Sequence, residues 1–207
     1  MALKRISYIL LAISAVAIGL YPIMYFLVDR TFGLLNSKTP ELLADATWNG
    51  MFYVHIVLGG IAILIGWIQF NKKIRRERMQ LHRNIGKIYI ITVLLSAISG
   101  FYIAYHATGG WIAKSGFMGM ALTWFFTTLI GFTSIKNKDV IKHQKMMIYS
   151  YAVCFAAVTL RVWLPILSGL LGGFLPAYKI VAWLSWIPNL FVAQYIINQQ
   201  FKIQKTP

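Results

Sequence analysis

Six apolar runs, each of about 19 to 23 residues, dominate this chain of 207 residues. They extend from Ile6 to Val28, Trp48 to Phe70, Ile85 to Ala107, Phe117 to Ile135, Met146 to Leu167 and Ala177 to Asn198. Each is long enough, as a helix, to cross a hydrocarbon core of roughly 30 Å. Lipid offers main-chain amides no partner, so segments of this length satisfy themselves as helices. Composition agrees: charged residues make up 12% of the chain, against roughly a quarter in soluble domains. The expectation is an all-α polytopic membrane protein, a six-transmembrane-helix bundle forming one transmembrane domain over residues 1–207.

The net charge of +15 reads as a topology signal, because the basic residues are unevenly placed. Fifteen lie at or near the N-terminus, in the Lys72 to Lys87 and Lys136 to Lys145 segments, and after the last run. On the other side fall only Arg30, Lys38, Lys114 and Lys179, with Arg161 inside a run. The positive-inside rule then puts both termini in the cytoplasm, and the expected location is the plasma membrane, as a multi-pass protein. No nucleic-acid partner is implied; the bilayer itself is the expected partner, and the basic "NKKIRRERMQLHRNIGK" loop would rest against its anionic headgroups.

"MALKRISYILLAISAVAIGL" opens like a secretory signal, yet the apolar run continues through "YPIMYFLV" without a small-residue cleavage pattern, which reads as a retained first helix. Between the first two runs, "SKTPELLADA" predicts a short helix capped by Thr39, with Pro40 at its first position and Glu41 in its first turn. Leu42 and Leu43 would lay that helix on the outer membrane surface.

Arg161 stands out as a charge within a membrane-length run, which is costly unless it is buried against protein or a polar cavity. His143 lies 18 residues before it, the length of five turns of an unbroken helix, so both fall on one stripe with Ser150, Cys154 and Ala157. Those small residues mark the packed side of the helix. By depth, Arg161 lies about 6 Å below the outer boundary. His55 and His106 share that outer layer, whereas His82 and His143 form a second layer at the cytoplasmic ends of the third and fifth runs. The long Arg161 side chain also permits an alternative in which it reaches the outer interface. Gly59 and Gly66, and Ser96, Gly100 and Ala104, read as packing seams. Pro188 predicts a kink in the sixth run, with Asn189 satisfying the main-chain groups it frees.

Soluble-enzyme signatures are missing from the sequence: no phosphate loop, no dinucleotide fingerprint, no CxxC and no HExxH. The five carboxylates all fall outside the runs, with Asp29 at an interface and Glu41, Asp45, Glu77 and Asp139 in loops. That argues against a carboxylate ion pathway or a hard-ligand metal site. Cys154 is the only cysteine, so no internal disulfide forms.

The segments "HIVLGGIAILIGWIQF", "LHRNIGKIYI", "TLRVWLPIL" and "IPNLFVAQYI" together resemble the domain of unknown function 2306 family, over a family-like core of about residues 50–197. The likeness implies a helical membrane protein and no particular activity. Where that family tends to read His-Arg-x-Trp-Met, this chain has His143-Gln-Lys-Met-Met. A more distant likeness is to two-haem b-type membrane cytochromes and ferric reductases, whose haems sit between histidines of neighbouring helices. It implies candidate axial pairs, His55 with His106 and His82 with His143, and Arg161 as partner of a haem propionate or of an anionic substrate. His82 and His106, 24 residues apart, face directions about 240° apart on one helix, which rules out one continuous stack along it and leaves room for two sites.

The leading functional expectation is therefore a b-type haem electron-transfer protein exchanging electrons with a quinone or small reductant, with no metal beyond the haem iron. A transporter or binding protein for a small anionic or lipid-like ligand, with Arg161 as counter-charge, is the alternative. A third reading is a structural or assembly protein without a cofactor. The sequence leaves enzymatic activity and oligomeric state open.

Overall fold

A computed structural model of the chain describes residues 2–28 and 33–202; Asp29, Arg30 and Lys205, which entered the charge reading, lie outside them. Among the described residues all regular structure is helical. Six spans are long and apolar enough to cross a membrane: Ile6–Leu27, Ala46–Phe70, Met79–Tyr105, Gly110–Lys136, Val140–Leu170 and Phe174–Phe201. The last four overrun the apolar runs by up to two turns, because a helix continues through the headgroup layer wherever its ends are capped. Asp139 caps the fifth span by accepting from Lys142 N at 2.9 Å, and Asp45 caps the second through Trp48 N at 2.6 Å. The basic loop is accordingly mostly helix, with Lys72–Glu77 capped by Asn71.

The chain divides into two compact units, Met1–Ile103 and Ala104–Pro207. In the first, the first two spans cross at glycines. A Cβ on Gly60 would lie 2.9 Å from Gly19 O and 2.9 Å from Pro22 Cγ, and a Cβ on Gly19 would lie 2.9 Å from Leu64 Cβ. The seam expected at Gly59 thus falls one residue later, on the buried face with Ala62 and Ile63. The other seam forms as expected, with fully buried Ser96 and Gly100 against the second span. One end of this unit holds an aromatic cluster of Tyr25, Leu35, Trp48 and Phe52, in which Trp48 and Phe52 stack 5.2 Å apart. The short helix Pro40–Ala44 forms with Thr39 as its cap, Oγ1 accepting from Leu42 N at 3.4 Å. Leu42 and Leu43, partly buried, pack onto the aromatic cluster.

In the second unit the Gly110–Lys136 helix lies against both of the spans that follow it. Near its start a Cβ on Gly116 would meet Ala182 O at 2.8 Å, and near its end a Cβ on Gly131 would meet Met147 Sδ at 2.8 Å. Between these points Thr128 and Ser150, both fully buried, share a hydrogen bond of 2.7 Å. The fifth span is interrupted at Phe155, leaving halves Val140–Cys154 and Ala156–Leu170. The sixth is interrupted at Ser185 and Trp186, between Phe174–Leu184 and Ile187–Lys202. Pro188 causes the second break: it has no N–H to give the Leu184 carbonyl, and its ring crowds that carbonyl.

Glycines separate into two kinds here. Gly116→Ala and Gly60→Ala each drive a methyl into main-chain or proline atoms and are expected to cost about 1–3 kcal/mol. Gly86→Ala, in the third span with nothing within 4 Å of its Cβ position, is expected to be neutral or to stabilise by up to about 1 kcal/mol. Thermal unfolding midpoints of the three purified variants check the contrast.

Candidate functional site

Each expected histidine pair has one member in each unit: His55 and His82 in the first, His106 and His143 in the second. Within the first unit the two do not meet. His55 docks at Ser96 of the third span, while His82 lies 14 residues earlier on that helix, about 21 Å along its axis. In the second unit His106 follows the end of the third span, its ring edge-on to Tyr105 at 5.4 Å, and the Lys114 ammonium stands 4.8 Å over the Tyr105 ring. His143 docks far from it, near the other end of the Gly110–Lys136 helix.

The sequence gives His55 a glycine to lie on. Its Nδ1 is 2.9 Å from Ser96 O, and a Cβ at Gly100 would come within 2.7 Å of the same nitrogen. Ser96 Oγ adds a bond to His55 O at 2.9 Å, so the serine clamps the main chain and the ring together. His143 Nδ1 is likewise 2.8 Å from Gly131 O. A carbonyl only accepts, so in the neutral ring the proton sits on Nδ1 of both residues and Nε2 carries the lone pair. Fixing one ring nitrogen on a carbonyl is how proteins orient a histidine that uses the other nitrogen as a ligand or base.

Arg161 occupies the Ala156–Leu170 half and is half-buried, with exposed Val162 and Trp163 beside it. Its Nη1 donates to Ala157 O at 2.9 Å, one turn back along its own helix. The side chain therefore turns toward the middle of the span and does not extend to the Leu170 end, as the interfacial alternative requires. Pro165, four residues on, lacks the N–H that would take the Arg161 carbonyl, which concentrates main-chain polarity at the same level. The stripe inferred from an unbroken helix holds up to the break only. His143, Ser150 and Cys154 face inward, with His143 and Ser150 bonded to the Gly110–Lys136 helix; Phe155 then interrupts the helix before Ala157 and Arg161.

The kink residue behaves as its chemistry suggests. Asn189 Nδ2 reaches Ser185 O at 3.0 Å, Ala152 O at 3.1 Å and Thr159 Oγ1 at 3.2 Å. Ala152 O is the carbonyl that an unbroken fifth span would give to Ala156 N–H, so the asparagine of one broken helix occupies the acceptor at the break of the other. Thr159 Oγ1 also donates to Ser185 O. Sequence reasoning did not reach Thr159 or Ser185, whose partners are 26 residues apart with no periodic signal to join them. Nor did it reach Gly131, although a glycine one turn before a helix end is where a histidine can approach a carbonyl.

With histidine labelled by 15N, the neutral protein is expected to show Nδ1–H tautomers for His55 and His143. Gly100→Ala is expected to shift the His55 signal alone; Nε2–H tautomers at both positions would contradict the assignment.

No curated protein and no solved structure matches the chain, so the likeness to b-type cytochromes draws no support from either comparison. The family described as "Predicted membrane protein (DUF2306)" matches residues 52–197. That region takes in all four histidines, Arg161 and both helix breaks, and leaves out the first span. With six spans of membrane length and a match over most of its residues, the chain is an integral membrane protein that belongs to the DUF2306 family.

Proposed function

We propose that the chain binds a small anionic solute within the membrane and carries it across, with Arg161 as the counter-charge. The observation that carries this reading is a guanidinium held inside a 31-residue span, on its outer side, and turned back along its helix to the Ala157 carbonyl. A cation held there is costly, and residues that persist at such cost line substrate or ion routes. The Ala156–Leu170 half begins within two turns of Arg161, and the partial positive charge of a helix start adds to the same demand for an anion. The planar guanidinium fork suits the carboxylate or phosphate of a small ligand. Discontinuous helices near mid-membrane are the usual setting for such sites in transporters.

Two classes of small anion, carboxylates and phosphates, are the probes. In proteoliposomes the best-bound member of such a panel is expected to lose at least about thirtyfold in affinity on Arg161→Ala, the effect of truncating one partner of a charge pair worth about 2 kcal/mol. Arg161→Lys is expected to recover part of it. Equal affinity in the wild type and Arg161→Ala, with the helical content of both intact, would sink the reading.

A second reading, haem b held between histidines for electron transfer, is favoured by the Nδ1 contacts of His55 and His143, which set Nε2 as the coordinating nitrogen. When bound, the haem would supply one-electron chemistry; the chain's own part is to orient the rings, and a quinone or small reductant would be the partner. Protein purified from haem-sufficient cells is expected, on this reading, to show a Soret band that His55→Ala or His143→Ala diminishes. A colourless wild type removes it.

A further inference from the structure

The two interrupted spans share one polar node. On either side of it the halves pair differently: Ala156–Leu170 packs on Phe174–Leu184, and Val140–Cys154 packs on Ile187–Lys202, where Tyr149 donates to Gln194. The first pair is closed by a short turn in which Gly172 has φ 71° and Gly173 φ 159°. It is thus a helical hairpin bounded in the chain by two breaks and packed on the Gly110–Lys136 helix through its second arm.

We propose that the breaks at Phe155 and at Ser185–Trp186 are a hinge, on which the hairpin Ala156–Leu184 tilts as one body, and that Thr159, Ser185 and Asn189 form its latch. Main-chain bonding is distorted at both breaks, although Phe155 N keeps Tyr151 O at 2.9 Å and Leu190 N keeps Trp186 O at 3.2 Å. Phe155 O is shared between Val158 N at 2.9 Å and Thr159 N at 3.2 Å, and Trp186 N reaches Trp183 O at only 3.4 Å. The latch spans the gap with side chains: Thr159 on the hairpin bonds the Ser185 carbonyl, and Asn189 beyond the hinge bonds Thr159, Ser185 and Ala152 together. Side-chain bonds of this kind have two discrete arrangements, made and broken, which suits a switch between two positions.

Ser185 gives the hinge a second state to move to. It is fully buried, yet its Oγ has no hydrogen-bond partner among the described residues. A sealed, unsatisfied hydroxyl in a membrane protein destabilises the state that seals it. Tilting the hairpin opens the node and lets Oγ find water or a neighbouring carbonyl. The face that must part is the one where Gly116 lies against Ala182; besides close packing it holds the Trp183 Nε1 bond to Ile112 O, at 3.0 Å. Arg161 rides on the hairpin. The hinge stands without the anion reading; only its use as the access step to Arg161 rests on that reading.

The test uses the full chain in lipid nanodiscs with Cys154→Ala, and spin labels at Val162→Cys and Phe191→Cys, two exposed positions on opposite sides of the hinge. Thr159→Val with Asn189→Leu removes the latch and is expected to raise the population of a second, displaced distance by about five- to tenfold. Ser185→Ala removes the unsatisfied hydroxyl and is expected to do the opposite, sharpening the closed distance and raising the thermal midpoint. Labels at Phe126→Cys and Ile141→Cys, on one side of the hinge, should not respond to either change. The proposal is overturned if the 162–191 distance ignores the latch variant, or if Ser185→Ala broadens it. Should the latch variant lose helical content, Ser185→Ala decides by itself, since it deletes no bond. A fixed distance with Arg161-dependent anion binding intact rejects the hinge and spares the anion site. A responsive distance with binding indifferent to Arg161 does the reverse.

Discussion

In hydrocarbon every main-chain N–H and C=O must find its partner inside the protein, and the rest of this structure follows from that demand. It makes each apolar run a helix. It also makes any interruption expensive, so an interruption that persists must be patched. The fifth and sixth spans show the patch: one proline frees a carbonyl, one asparagine serves acceptors on both helices, and a threonine returns a bond to Ser185 O. Asn189 donates to the Ala152 carbonyl at the fifth-span break and shares the Ser185 carbonyl with Thr159, so both breaks draw on one side chain.

The same demand shapes the smaller contacts. Thr92, Ser99, Thr123, Thr127 and Ser134 all bond to carbonyls a turn back on their own helices, so their hydroxyls add no unmet polarity. A few polar groups are used between helices: Ser96 with His55, Thr128 with Ser150, His143 with Gly131. Each sits beside a glycine or another small side chain, since an interhelical hydrogen bond in lipid needs backbones that can come close. Glycine and polar group together form the unit of recognition between spans.

Arg161 departs from this economy. It is the only charge in the interior of a run, and its bond to Ala157 O holds the guanidinium back along its own helix. Thr128, Ser134 and Ser150 of the second unit place their buried hydroxyls on a carbonyl or on one another, whereas Arg161 brings a full positive charge into a run. That difference sets Arg161 apart from Asn189, although both lie close to a helix break.

Six helical spans, the Thr39 cap, the Ser96 and Gly100 seam and the role of Asn189 were legible in the sequence, because each depends on local rules: length against bilayer thickness, capping chemistry, residue size and proline's missing N–H. The seam at Gly60, the docking of Leu42 and Leu43 on the aromatic cluster, and the Thr159–Ser185 bond were not, because they depend on which faces of distant segments meet. The direction of Arg161 belongs with the second group. Its position along the chain gave the depth of its Cα, but a side chain of that length can point either way, and only the structure shows it bent back along its own helix to the Ala157 carbonyl.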